Sequence, residues 1–442
     1  MSYNVTLLSL GCAKNRVDAE IMLSGLRDAG YNIVPSVNLA DIVVINTCGF
    51  VDDAKIESIE EIISVVRLKN KGLVKAIIVT GCLAERYKDE VLKEIPAVDA
   101  VVGIGANGDI VNIVKKVLDG EKIESFPNKL YLPLNGKRLQ TTPKYYAYLK
   151  IADGCENRCS YCAIPLIRGK FRSRKMEDII DEAQILAKNG VKELLVIAQD
   201  TTRYGEDIYG ELKLAELLKH LCKIDGIEWI RVLYCYPDRI TDELIDVISK
   251  EDKILNYIDI PLQHCNGKIL KNMNRRGNKE SLTELLNKIR AKIPNVILRT
   301  TFICGFPGET DEEFNELAEF AKKMRFERMG CFAYSQEEGT TASKMNNQID
   351  DEIKFKRQEI LMEEQMKIME ENSIKMLGKT ISVLFEGYDA EKESFYGRSM
   401  ADSPDVDGRV YFSINDNIPK EGEFINVKIN DFETCDLIGE IV

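Results

Sequence analysis

YAYLKIADGCENRCSYC, residues 146–162, runs from an alternating, β-prone stretch into three cysteines spaced Cys155-x-x-x-Cys159-x-x-Cys162. Three thiolates can hold three irons of a four-iron cube, and the missing fourth cysteine leaves one iron open to another ligand. Further strand patterns follow at LLVIA (194–198), WIRVLY (229–234), YIDIP (257–261), VILRTTFI (296–303) and MGCFAY (329–334), with helical patterns between them. Alternation of this kind predicts a parallel sheet covered by helices. Six βα rounds are too few for the eight-stranded closed barrel, so an open partial barrel is expected, with the cysteines at its active, carboxyl edge.

Upstream, residues 1–125 repeat the alternation. Strands are expected at VTLLSL, DIVVIN, AIIVT and DAVVG, and helices at Asp18 to Ala29, Ala54 to Arg67, Tyr87 to Ile95 and Asp109 to Leu118. Cys12, Cys48 and Cys82 each follow one of these strands, so a parallel sheet would gather them on one edge as a second triad. Residues 126–144, with Pro127, Pro133 and Pro143, are expected to be a linker with room for one hairpin. The second α/β unit then spans 145–377. It ends in a helix from about Asp350 to Leu377, whose apolar positions Ile353, Ile360, Leu361, Met362, Met366, Met369 and Met376 are expected to form a packing stripe. Residues 378–442 change to short β-rich runs between Gly, Asp and Pro turns, which predicts a small antiparallel β-barrel. The fold class is thus α/β and multidomain, with a terminal barrel.

With 442 residues and 45% hydrophobic content, the chain can bury several cores. It carries 60 basic and 72 acidic residues, a net charge of −12, which argues against broad attraction to nucleic acid. Only two histidines, His220 and His264, are present, which argues against a histidine-rich zinc site or a mechanism needing several imidazoles. No apolar run nears the roughly 20 residues of a membrane helix. VTLLSLGC lacks the basic start of an export signal, so a cytoplasmic location is expected, where clustered cysteines serve metals more than disulfides. A structural zinc site is the alternative for the compact triad, but zinc favours paired CxxC motifs and no second pair exists. Cys235, Cys265 and Cys304 are read as small buried apolar residues.

The compact motif, with Tyr161 just before its last cysteine, resembles that of the radical SAM enzymes. The resemblance implies that S-adenosylmethionine (SAM) chelates the open iron and is cleaved to a 5′-deoxyadenosyl radical, chemistry that no side chain can supply. Candidate SAM contacts are Tyr161, Arg174, Gln199, Asp200, Gly305 and Glu309. For GFPGET, residues 305–310, the alternative is an ordinary βα turn with Thr310 capping the next helix.

Taken whole, the order of an N-terminal cysteine domain, a CxxxCxxC core and a β-rich C-terminus resembles the methylthiotransferases, whose last domain is of the TRAM type. That resemblance implies two four-iron clusters, one on Cys12, Cys48 and Cys82 and the other on Cys155, Cys159 and Cys162. It also implies that SAM serves both as methyl donor and as radical source. SLGCAKN (9–15), NTCGF (46–50), ADGCENRCSYCAIP (152–165) and PLQHCNGKILKNMNRRG (261–277) look like the group that modifies the β-carbon of an aspartate in ribosomal protein S-twelve, rather than the group that modifies a tRNA adenosine. Residues 378–442 carry six basic and fourteen acidic residues, a net of −8, which suits a basic ribosomal protein better than RNA. The small ribosomal subunit is the expected partner, with a flavodoxin or ferredoxin-like electron donor and a monomer as the default state. From a different class, a noncatalytic iron–sulfur sensor or RNA-binding scaffold is the rival.

Overall fold

A computed structural model describes residues 3–414 and 418–442. The N-terminal sheet contains β1 (Asn4–Ser9), β2 (Asn32–Ile33), β3 (Ile42–Thr47), β4 (Ala76–Gly81), β5 (Ala100–Val102) and β6 (Ile123–Ser125), in the order β2-β1-β3-β4-β5-β6. All its pairings are parallel. β3 and β4 are buried at every position because helices cover both faces, which explains their unbroken apolar runs. Met22, Leu26, Ile113 and Val117 pack on one face, and Ile62, Val65, Leu83 and Val91 on the other.

Three details differ from expectation. The first helix, Ala13–Asp28, begins five residues early because extended Cys12 is its N-cap. The third, Cys82–Glu94, begins at the cysteine itself. β6 extends the sheet, since Ile123 packs on its core, and 126–144 holds a short 3₁₀ turn at Lys129–Tyr131 instead of a hairpin.

The second sheet comprises β7 (Tyr146–Lys150), β10 (Glu193–Ile197), β11 (Trp229–Val232), β12 (Ile254–Asp259), β13 (Ile297–Cys304) and β14 (Arg328–Ala333). Its order is β14-β13-β12-β11-β10-β7, wholly parallel, so β7 and β14 remain unpaired to each other and the barrel is open. A short antiparallel pair, β8 (Ala152–Asp153) with β9 (Arg172–Ser173), brackets the cysteine loop and its helix Ile164–Arg168.

The long helix runs Asp351–Ile374, but its buried face is Lys354, Arg357, Leu361, Gln365 and Ile368. Of the expected apolar stripe, Leu361, Met362 and Met376 pack on cores, whereas Ile353, Ile360 and Met366 are exposed, which corrects the rest of it. Polar partners decide the orientation: Arg357 pairs with Glu309 at 2.8 Å and the Gln365 amide donates to the Phe326 carbonyl at 3.1 Å.

β15 (Thr380–Asp389), β16 (Ser394–Ser399), β17 (Val410–Ser413), β18 (Phe424–Glu433) and β19 (Asp436–Ile441) close a barrel around Val383, Phe385, Val410, Phe412, Val427 and Ile429. β17 and β19 pair in parallel, and the other pairings are antiparallel. This barrel caps the amino end of the core strands. Glu193 receives Arg231 at 2.8 Å and Arg398 at 2.6 Å, Arg328 meets Asp402 at 2.7 Å, and the Tyr257 hydroxyl donates to Asp407 at 2.7 Å. Several barrel acids therefore face inward, whereas Glu391, Glu393, Glu421, Glu423 and Asp431 face solvent. Among the described residues no helix is long and apolar enough to cross a membrane.

Removing Glu193 takes from buried Arg231 its carboxylate partner and leaves Arg398 with Glu386 alone. Glu193→Gln is expected to lower stability by about 3–5 kcal/mol, read as an earlier urea transition. Loss of the exposed Lys392 ion pair should cost about 1 kcal/mol or less. Equal effects would contradict the assigned role of Glu193 as the anchor of the barrel.

Candidate active site

The cysteine loop is held from several sides. Gly154 has φ +77, and a Cβ there would strike the Lys170 carbonyl. The Cys155 N–H donates to Gly169 O at 3.1 Å. Arg158, with φ 51, turns the chain in the left-handed region. The Ser160 N–H donates to Met273 O at 2.9 Å, its hydroxyl to Asn272 O at 2.8 Å, and the Asn274 amide reaches Arg158 O at 2.9 Å. On another side, the Ala342 N–H donates to Ser160 O at 2.8 Å. The NMNRRG segment singled out in the sequence is thus a clamp on this loop. Arg275 belongs to it: one guanidinium nitrogen lies 3.8 Å from Cys159 Sγ and 3.4 Å from the Tyr161 hydroxyl, while the other donates to Pro261 O at 2.7 Å.

The N-terminal cysteines follow β1, β3 and β4 and interact electrostatically with one another. At Gly11, φ +81, an added Cβ would lie 2.6 Å from Cys48 Cβ and 2.7 Å from its Sγ, so only glycine lets the Cys12 backbone come this close. Burial raises the Cys48 thiol and pushes Cys82 up to about 12 despite the nearby Arg168. Cys12 remains open to solvent. Crowding by protein raises its thiol too, but Lys14 and Arg168 outweigh that, and the thiol falls below its ordinary value. In the compact loop, burial pushes Cys155 up to about 11 and raises Cys162 further.

The two triads share a wall. Cys82 packs with Ala163 and Ile167, next to Cys162. One turn on, the Arg168 guanidinium donates to Asn15 Oδ1 and pairs with Asp153 at 2.7 Å and Asp18 at 2.9 Å. Lys150 bridges the same two acids, meeting Asp153 at 3.0 Å. Burial alone would raise the Asp153 carboxyl; Arg168 and Lys150 reverse this and hold it well below the usual range. No motif in the sequence announces Arg168 or Lys150, whose partners are distant in the chain.

The candidate SAM contacts separate by what they already bind. Arg174 is engaged by Asn135, the Lys150 carbonyl and Glu182 at 2.6 Å, which leaves it no free edge for a SAM carboxylate. Glu309 accepts the Gly305 N–H and pairs with Arg357, so it closes the GFPGET turn. The Gly305 Cα packs against Lys354 of the long helix, and Thr310 forms the expected N-cap, here a capping box with Glu313. Asp200 accepts from Asn157 at 2.8 Å, Thr202 at 2.6 Å and Arg239 at 3.3 Å, which ties the cysteine loop to the end of β10. Gln199 Oε1 is buried and without a hydrogen-bond partner among the described residues, the mark of an acceptor awaiting a donor. Tyr161 stands against Cys159 and Arg275.

The donor sets suit iron–sulfur cubes: soft thiols, glycine-made room and adjoining cations to balance charge. Among the described residues no three His, Cys, Asp or Glu side chains converge on a single metal ion. A cube binds each thiolate to a different iron and so asks for wider spacing than zinc does.

Comparison with known proteins agrees with this architecture. Residues 149–321 match the radical SAM superfamily, 4–103 an uncharacterised protein family, UPF0004, and 377–442 the TRAM domain. The chain is 50% identical over 438 residues, 99% of both chains, to a ribosomal protein uS12 methylthiotransferase RimO of Thermoanaerobacter sp.. It is 49% identical over 440 residues to the protein of that name from Clostridioides difficile, covering 99% of this chain and 98% of the relative. Among solved structures, the radical SAM methyltransferase TsrM of Kitasatospora setae aligns with TM-score 0.56 at 13% identity, over 75% of this chain and 73% of its own. The cobalamin-dependent SAM radical enzyme OxsB aligns with TM-score 0.52 at 15% identity, over 82% and 56%. At such identities the two structures speak for the fold alone.

In metal-free protein at neutral pH, iodoacetamide should alkylate Cys12 before Cys48 and Cys82, because thiolate is the reactive form and only Cys12 has a lowered pKa. Peptide mapping over time measures this; preferential labelling of Cys82 would contradict the electrostatics described.

Proposed function

The chain belongs to the methylthiotransferase family of radical SAM enzymes, and from that premise we propose that it attaches a methylthio group to the β-carbon of an aspartate in ribosomal protein uS12. The observation that carries this is the shared wall: Cys82 of one triad packs against the residue after Cys162 of the other. Two thiol triads facing one junction suit a reaction in which one site activates a C–H bond and its neighbour delivers sulfur.

In this reading Cys155, Cys159 and Cys162 hold one four-iron cluster and Cys12, Cys48 and Cys82 a second, with SAM at the first. When bound, these groups would supply a hydrogen-abstracting radical and a methylated sulfur. The chain's own work is placement. Asp200 and Arg239 fix Asn157, and the 272–275 segment fixes Ser160, so the loop presents its thiols without rearrangement. Gln199 Oε1 and the Tyr161 ring are the candidate SAM contacts. Arg168 sets a permanent positive charge beside Cys82 and Cys12, which favours the thiolate forms that iron binds.

The barrel's outward acids favour a basic protein partner. The functional units are taken as 1–125, 126–144, 145–377 and 378–442. We further assign a cytoplasmic monomer served by a flavodoxin or ferredoxin-like donor.

The test is anaerobic reconstitution with SAM, sulfide, reductant and a mixture of uS12 and tRNA, followed by mass spectrometry of both. A methylthio group on an aspartate is expected; one on adenosine, or none with both clusters intact, would overturn the assignment. Cys155→Ala should abolish SAM cleavage. Cys48→Ala should spare cleavage and abolish sulfur insertion, and retained insertion would refute the second cluster.

A further inference from the structure

Lys14 carries a charge with no carboxylate partner among the described residues. The residue is only 7% exposed and lies in the first turn of helix Ala13–Asp28, two residues past Cys12. Its ammonium stands 3.2 Å from the centroid of the Tyr234 ring. Among the described residues no carboxylate lies within ion-pair distance of it and no acceptor takes its hydrogens. A ring face offsets only part of the hydration that a buried ammonium gives up.

The neighbouring charges are already paired. Tyr234 follows β11 at the core's active edge with φ 61, and its N–H donates to Asp259 at 2.9 Å. The other Asp259 oxygen receives Arg299 at 2.9 Å. Arg16, two residues beyond Lys14, meets Asp405 of the terminal barrel at 4.0 Å. Asp18 is bound by Arg168 and Lys150. Lys14 is left without a carboxylate where the N-terminal triad adjoins the core sheet, near Cys12.

We propose that Lys14 is a carboxylate-binding residue whose ammonium pairs with the side chain of the substrate aspartate. The inference rests on the aspartate methylthiotransferase assignment. An aspartate's β-carbon is bonded directly to its carboxylate carbon, so anchoring the carboxylate fixes the C–H that reacts. The same contact selects aspartate over asparagine, because an ammonium offers only donors and an amide brings no charge. The other carboxylate that reaches such a site is the methionyl group of SAM, and the experiment separates the two.

Binding of uS12, and of uS12 with the target aspartate replaced by asparagine, is measured on reconstituted wild type, Lys14→Met and Lys14→Arg, with SAM affinity titrated separately. Wild type should prefer the aspartate form by about 10- to 100-fold. Lys14→Met should bind both forms alike through loss on the aspartate form only, and Lys14→Arg should restore most of the preference. Retained affinity for the asparagine form also shows that the variant folds. Equal weakening towards both forms would overturn the proposal, as would a loss confined to SAM. Wild type that methylthiolates no aspartate would instead remove the underlying assignment, a result read by mass spectrometry independently of Lys14.

Discussion

Four buried charges, Arg168 and Lys150 against Asp18 and Asp153, hold the two halves of the site together. Their side chains are at most 1% exposed. Asp18 comes from the first helix of the N-terminal sheet, Lys150 from β7, Asp153 from the strand before the cysteine loop and Arg168 from the helix after it. Loss of one partner from such a group costs about 3–5 kcal/mol, because the others remain charged and dry. Docking of the sheets and the mutual placement of the triads are therefore one property: whatever loosens the network also separates Cys82 from the Cys162 loop.

Much of the fold was legible because it is written in local patterns. Unbroken apolar runs such as DIVVIN mark strands buried on both faces, and cysteines at their ends mark one sheet edge. Where expectation and structure part, long-range partners decide. The long helix buries Arg357 and Gln365 in preference to Ile353 and Met366, because Glu309 and the Phe326 carbonyl await polar groups there. Arg174 has the right chemistry for a SAM carboxylate but is drawn away by Glu182 and Asn135. Arg275 and Arg168 went unnoticed in the sequence for the converse reason: nothing local distinguishes an arginine that will meet Cys159 or Asp153 from one facing solvent. Lys14 was hidden by a boundary, since a helix starting at Asp18 would have left it in a loop.

Charge is also divided by place. The acidic excess of the terminal barrel reads as a uniform surface in the sequence, yet Glu386, Asp402 and Asp407 face the arginines Arg398, Arg328 and Arg299. Asp402 and Asp407 join the barrel to the core, Glu386 holds Arg398 where it reaches Glu193, and the remaining acids are those left to attract a basic partner. Asp405 lies between the two roles, exposed and loosely facing Arg16 near Lys14.

The central claim is that two clusters sit on either side of one wall. Electron paramagnetic resonance of the fully reduced, reconstituted enzyme tests it most directly, since two nearby paramagnets broaden and relax one another. The account predicts about eight irons per chain and a spin–spin interaction that vanishes when Cys12, Cys48 and Cys82 are replaced by alanine, leaving one isolated cluster. A single cluster in the intact protein, or two that do not sense each other, would contradict it.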